Sequence, residues 1–143
     1  VAWLAIARRE MDTEVDEIAG SDHNQRILEY HATTTLPAGD AGRDETPWCS
    51  SFVNWCVTQS GLRGTNSAAA RDWLGWGSSL DEPRKGAITV FRRFDPNNPR
   101  AGHVAFFWDS SGDRYLVLGG NQDDQVSIKG YPKADLLGFR WAA

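Results

Sequence analysis

The chain reads as an α+β fold in which helices come first and an antiparallel sheet follows. Three observations predict this. Apolar residues in the first half recur at helical spacing; after Pro83 they give way to short runs rich in β-branched and aromatic residues; and the turn signals between those runs are too short for crossovers. Short connections imply antiparallel neighbours. A length of 143 residues suits one compact core, so a single domain is expected over 1–143, helical over 1–80 and sheet over 86–142.

Each element has its own signal. Trp3, Leu4, Ala7 and Met11 share one stripe of a helix over residues 2–11, and a second short helix is expected over 24–30. The Thr-, Gly- and Asp-rich stretch 32–45 reads as a loop. It leads into TPWCSSFVNWC (46–56), where Thr46 suits the cap and Pro47 the first helical position, and Gly61 suits the end. Ser67 is placed to cap another short helix running through Trp73 and Leu74. ITVF (88–91), HVAFFW (103–108), YLVLGG (115–120), QVSIKGY (125–131) and LLGFRW (136–141) read as strands. DPNNP, SSGD and QDD punctuate them, and the prolines and asparagines of 95–99 mark an excursion from the sheet. No repeat or low-complexity tract interrupts this order.

Composition narrows the function classes. Net charge is −4 and the isoelectric point near 5.3, with basic residues scattered or interleaved with acids, so nucleic acid is not an expected partner. No apolar run approaches the roughly 20 residues of a membrane span. No basic segment followed by a hydrophobic stretch marks a signal peptide, so a leader is expected upstream of Val1 or delivery by another route. Two cysteines without a C-x-x-C pair make neither a disulfide framework nor a zinc site. Seven tryptophans are expected mostly in the core, with Trp48, Trp73 and Trp76 the candidates for lining a groove.

Cys49 is the most informative residue. About three positions into its helix, free backbone N–H groups and the helix dipole favour an anion, so its thiol should ionise readily. The competing reading is an ordinary buried cysteine. Cys56 follows at a spacing of seven on the stripe that holds Phe52 and Val53, and reads as packing. A helix separates the two sulfurs by roughly 10 Å, too far for a disulfide. A thiol nucleophile needs a base, and the base an orienting group. His103, opening a strand after Gly102, is the natural base; His23 and His31 compete weakly. Asn121 lies one hairpin further and offers an amide oxygen for the imidazole, as in Cys-His-Asn peptidases, although asparagine is also a turn residue. Asp109, Asp113, Asp123 and Asp124 are alternative orienting acids.

PWCSSFVNWC, GHVAFFW and VLGGNQ, in the order Cys, His, Asn, resemble the CHAP and NlpC-type peptidoglycan hydrolases of the papain-like cysteine peptidase superfamily. PRKGAITVF ahead of the histidine strand and the terminal LLGFRW fall in the same order. The resemblance implies a papain-like fold with the nucleophile helix packed on a five- to six-stranded antiparallel sheet. It further implies Cys49 as nucleophile, His103 as base and Asn121 as orienting residue, and it matches Tyr30 to a tyrosine near the oxyanion. Two departures stand out. Trp48 occupies the position before the cysteine where relatives carry glutamine or aspartate, and Gly119 the position where CHAP members often carry an acid. Oxyanion donors are therefore sought at the Cys49 N–H and the hydroxyls of Tyr30 and Ser50.

The expected function is cleavage of an amide bond in the stem peptide or at the sugar–peptide junction of bacterial peptidoglycan, without a cofactor, by a monomer acting in the periplasm or extracellular wall. An endolysin, an autolysin or an antibacterial effector with a cognate immunity protein would all fit. The alternatives are a catalytically inactive wall-binding module that uses its tryptophans, and a thiol acyltransferase. Asp40, Asp44 and Glu45 are weak calcium candidates. Their spacing does not reproduce the EF-hand pattern, and a solvated acidic loop is the reading favoured over a metal site.

Overall fold

The computed structural model describes residues 1–17, 23–36, 39, 42 and 47–143. Helices α1 (Ala2–Asp12), α2 (Gln25–His31) and α3 (Cys49–Gln59) are followed by a 3-10 helix, Ala70–Gly75, and a six-stranded sheet. The strands are β1 (Ser78–Leu80), β2 (Ile88–Arg92), β3 (Gly102–Ser111), β4 (Arg114–Gln122), β5 (Gln125–Pro132) and β6 (Leu136–Trp141). They run β1-β6-β2-β3-β4-β5 with every neighbour antiparallel. The fold is α+β, as the change of apolar period predicts.

The boundary between the halves differs from the expectation. Ser78–Leu80 belongs to the sheet, pairing with β6 through Leu80 and Phe139, although three residues without alternation carry no strand signal. Ser67 does not cap the 3-10 helix, whose preceding residue is Ala69; its hydroxyl instead accepts from the Ala69 N–H and donates to Asp72. Gly61, at φ 91°, ends the region of α3 as glycine is suited to do.

α3 lies on one face of the sheet. Phe52, Val53, Cys56 and Val57 from the helix meet Val90, Val104, Phe106 and Leu118 from β2, β3 and β4, all fully buried; burial of each such side chain contributes about 1.5–3 kcal/mol. α1 joins this core through Trp3, Leu4 and Ala7, and the Trp3 indole N–H donates to the Gly86 carbonyl at 2.6 Å. The start of the outer edge of β5 is met by residues 15–17, whose backbone bonds Val126 and Asp124.

The opposite face carries Phe91, Ala105 and Val117 with Tyr131 over them. Tyr131 stands on β5, three strand steps or roughly 14 Å from β2 in a flat sheet. Its ring nonetheless stacks on Phe91 with centroids 5.1 Å apart, so the sheet curls strongly toward this face. That curl forms the wall of the site.

Candidate active site

Cys49 is the first residue of α3 rather than the third. Trp48, at φ −128° and ψ 17°, is the cap, and its carbonyl accepts the first helical bond from the Phe52 N–H. Thr46, expected as the cap, lies outside the described residues, and Pro47 precedes the helix. The shift places the sulfur nearer the unpaired N–H groups of the first turn. Burial opposes the thiolate, but His103, by charge and by hydrogen bond, together with the backbone N–H groups of Val104 and Ser50, holds the Cys49 thiol below its ordinary value. Cys56 shows the contrast: fully buried, with Glu10 as its charged neighbour, its thiol is pushed well up. Both cysteines are free.

His103 opens the buried part of β3 opposite Phe91. Its Nε2 lies 2.9 Å from Oε1 of Gln122, so the residue against the imidazole is Gln122 and not Asn121. A bulge in β4 causes this. Between the pairs Gly119–Ser127 and Gln122–Gln125, β4 carries one residue more than β5, which reverses the inward and outward alternation. Asn121 absorbs the irregularity at φ 59°, a left-handed conformation that asparagine tolerates, and is among the residues that line the cleft. Gln122 is 1% exposed and its amide nitrogen donates to the carbonyls of Val117 and Ser127 at 3.2 and 2.6 Å. With both donors so used, Oε1 must accept, which makes His103 Nε2 the donor and leaves Nδ1 to face the thiol.

The glycine before the bulge follows from the same geometry. A Cβ on Gly119 would stand 2.7 Å from Ala105 Cβ and 2.8 Å from Gln122 Oε1. The space beside Gly119 is filled by Gln122. None of the four alternative acids bonds the imidazole: Asp123 and Asp124, at φ 58° and 64°, form the two-residue β4–β5 turn, as a type I′ hairpin requires, and Asp109 and Asp113 are exposed.

Four other expected site residues are committed elsewhere. Tyr30 is buried and its hydroxyl donates to Glu10 at 2.7 Å, toward α1. Trp48 does not line a groove: its ring stacks on Tyr30, would meet a Cβ on Gly120, and its N–H donates to Glu17. The Ser50 hydroxyl donates to the Ser67 carbonyl and accepts from the Trp73 indole. Trp73 is thereby core, and Trp76 half-buried with its N–H on the Arg63 carbonyl. An indole seeks both burial and an acceptor, and the interior supplied both. His31 is buried with Nδ1 at the Ser51 hydroxyl. Asp40, Asp44 and Glu45 lie outside the described residues, and no group of three metal-ligating side chains occurs among those described.

Cys49 and His103 open on a cleft of about 890 Å³. Its walls include residues no local motif announces. Tyr131 stacks on His103 with centroids 4.8 Å apart and planes 27° from parallel, so Phe91, Tyr131 and His103 form one aromatic stack, worth about 0.5–1.5 kcal/mol per pair. Burial, and then the Cys49 charge, raise the Tyr131 phenol. Phe94, 91% exposed, stands at the lip. Sequence offered only weak signals for these: GYP at a strand end, and an apolar residue beside DPNNP.

A family model described as CHAP domain matches residues 41–121, which contain Cys49, His103 and Asn121. A crystal structure from Staphylococcus aureus, described as similar to lipoprotein, NLP/P60 family, superposes with a TM-score of 0.47 at 14% identity and covers 89% of this chain. The chain spans 45% of that protein's length. No curated protein matches. With more than half of its length matched, the chain, an α+β fold, belongs to the CHAP domain family, a peptidoglycan-related hydrolase family.

Proposed function

We propose that this chain cleaves an amide bond in the peptide part of bacterial peptidoglycan, with Cys49 as nucleophile, His103 as acid and base, and Gln122 as the residue that orients the imidazole. The observation that carries the reading is the continuous path Cys49–His103–Gln122 at the floor of a cleft. The Cys49 thiolate attacks the amide carbonyl, and backbone N–H groups of the α3 first turn meet the developing oxyanion. The protonated Nδ1 of His103 gives its proton to the leaving amine, which departs as the thioester forms. Nδ1 then takes a proton from water, whose hydroxide attacks the thioester; a carboxylic acid leaves and the proton returns to the Cys49–His103 pair. Gln122 accepts from Nε2 throughout and keeps Nδ1 aimed at the sulfur. Residues 1–143 act as one domain, as a monomer on the wall, from the periplasmic or extracellular side, in a lytic role.

Purified sacculi incubated with wild type and with Cys49→Ala test this. Soluble fragments released by wild type alone are expected, and their masses identify the bond. Equal behaviour of the two folded proteins sinks the hydrolase reading and leaves a wall-binding module; products that incorporate an added amine indicate an acyltransferase.

A further inference from the structure

The cleft is basic in a chain whose net charge is −4. Arg71, Arg92, Arg93, Arg100 and Lys129 line it, and Asp135 is the acid among its described lining residues. Two of the cations are neutralised at the rim, Arg92 by Asp135 at 3.1 Å and Lys129 by Asp123 at 2.9 Å. Arg71, Arg93 and Arg100 form no ion pair with a described residue.

All three line this cleft, and the Arg71 guanidinium and the Arg93 backbone meet at one peptide unit of its wall. The Ala101 carbonyl accepts from Arg71 Nε at 3.2 Å and Nη2 at 3.0 Å and also receives the Arg93 backbone N–H at 3.1 Å. Arg100 is the residue before it, and His103 stands two residues beyond. The position is therefore tied to the chemistry: Ala101 is buried and leads directly into β3, and the Arg93 charge is felt at the Tyr131 phenol, as is that of Cys49. Arg71 is held in place by its two bonds, which fixes a positive charge on the wall before any substrate arrives. Guanidinium groups pair with carboxylates through parallel N–H bonds, and such bonds weaken with salt when partly exposed.

We infer that Arg71, Arg93 and Arg100 form a subsite for a substrate carboxylate, so that the preferred substrate is a peptide amide bearing a free carboxylate near the scissile bond rather than its carboxamide form. This rests on the hydrolase reading and adds the charge of the substrate to it. The three basic residues are distant in sequence, on the 3-10 helix and on either side of the DPNNP excursion, and converge through the β2–β3 pairing.

Two synthetic stem peptides, alike except that the carboxylates are free in one and amidated in the other, test the inference against wild type, Cys49→Ala and the double variant Arg93→Gln/Arg100→Gln. Wild type is expected to favour the free acid roughly tenfold in kcat/KM, mainly through KM, since a charge-assisted hydrogen bond is worth about 1.5 kcal/mol at its weaker end. Raising the salt should shrink that preference, and the double variant, with an unchanged melting temperature, should lose it. Equal turnover of both peptides by wild type overturns the subsite, as does a variant that keeps the preference. Calorimetric binding to Cys49→Ala separates the two readings. If sacculi and both peptides are left intact by every protein, the hydrolase reading fails, yet tighter binding of the free acid, abolished in Cys49→Ala combined with the arginine substitutions, retains the subsite and equal binding overturns it.

Discussion

At the residue scale the chemistry depends on which groups surround one sulfur. Burial alone would keep Cys49 neutral; His103 and two backbone N–H groups reverse the balance. A thiol held below its ordinary value ionises earlier as pH rises. The rate of Cys49 alkylation by iodoacetamide, followed by mass spectrometry, is therefore expected to reach half its maximum at a lower pH than that of a cysteine in an unfolded peptide. In His103→Ala the midpoint should move upward, because only backbone N–H groups then oppose burial; an unmoved midpoint would remove His103 from the account. Cys56 should stay unmodified until the protein unfolds. Gln122→Ala is expected to lower kcat on the order of tenfold to a hundredfold, part of what positioned acid–base catalysis supplies, and to shift the same alkylation profile. Asn121→Gly, which keeps the left-handed backbone, should retain most of the turnover. The reverse outcome would return the orienting role to Asn121.

At the scale of elements, the helices are joined by groups the mechanism leaves out. The Tyr30 hydroxyl of α2 donates to Glu10 of α1, which is 6% exposed and is bridged by Arg26 Nε at 3.0 Å. A bond to a charged acceptor is worth about 1.5–3 kcal/mol. Glu10 retains Arg26 when the hydroxyl is removed, so Tyr30→Phe should cost near the lower end, read as a reduced urea midpoint at unchanged slope. Its kcat should equal that of wild type, since the hydroxyl faces α1; a fall in kcat at full folding would place Tyr30 in the chemistry. The β4 bulge is the other decisive element. It turns Gln122 inward, and the absence of a side chain at Gly119 gives that glutamine its room.

For the molecule as a whole, the curl of the sheet gathers β2, β3 and β5 residues around His103 and leaves an open cleft with Phe94 at its lip. Phe94 makes no core contribution at 91% exposure. Phe94→Ser should leave stability within about 0.5 kcal/mol while raising KM for a soluble peptidoglycan fragment, because an exposed aromatic at a cleft mouth offers apolar contact to an incoming chain. Unchanged KM would limit the binding surface to the cleft interior.

Periodicity sufficed for α1, α2, α3 and five of the strands, because amphipathic spacing and turn residues are local properties of the chain. It also separated Cys49 from Cys56, since helix starts and buried stripes are both written in short windows. The partner of the imidazole was not legible in the same way: Asn121 and Gln122 are adjacent, both carry amides, and one extra residue in the β4–β5 ladder settled which points inward. Trp48 and Trp73 read as groove candidates and Tyr30 and Ser50 as oxyanion candidates, but packing supplied partners for their polar atoms inside. Tyr131 and the three arginines entered the site through strand pairing and sheet curvature, which join residues far apart in the chain and leave no signature in any single segment.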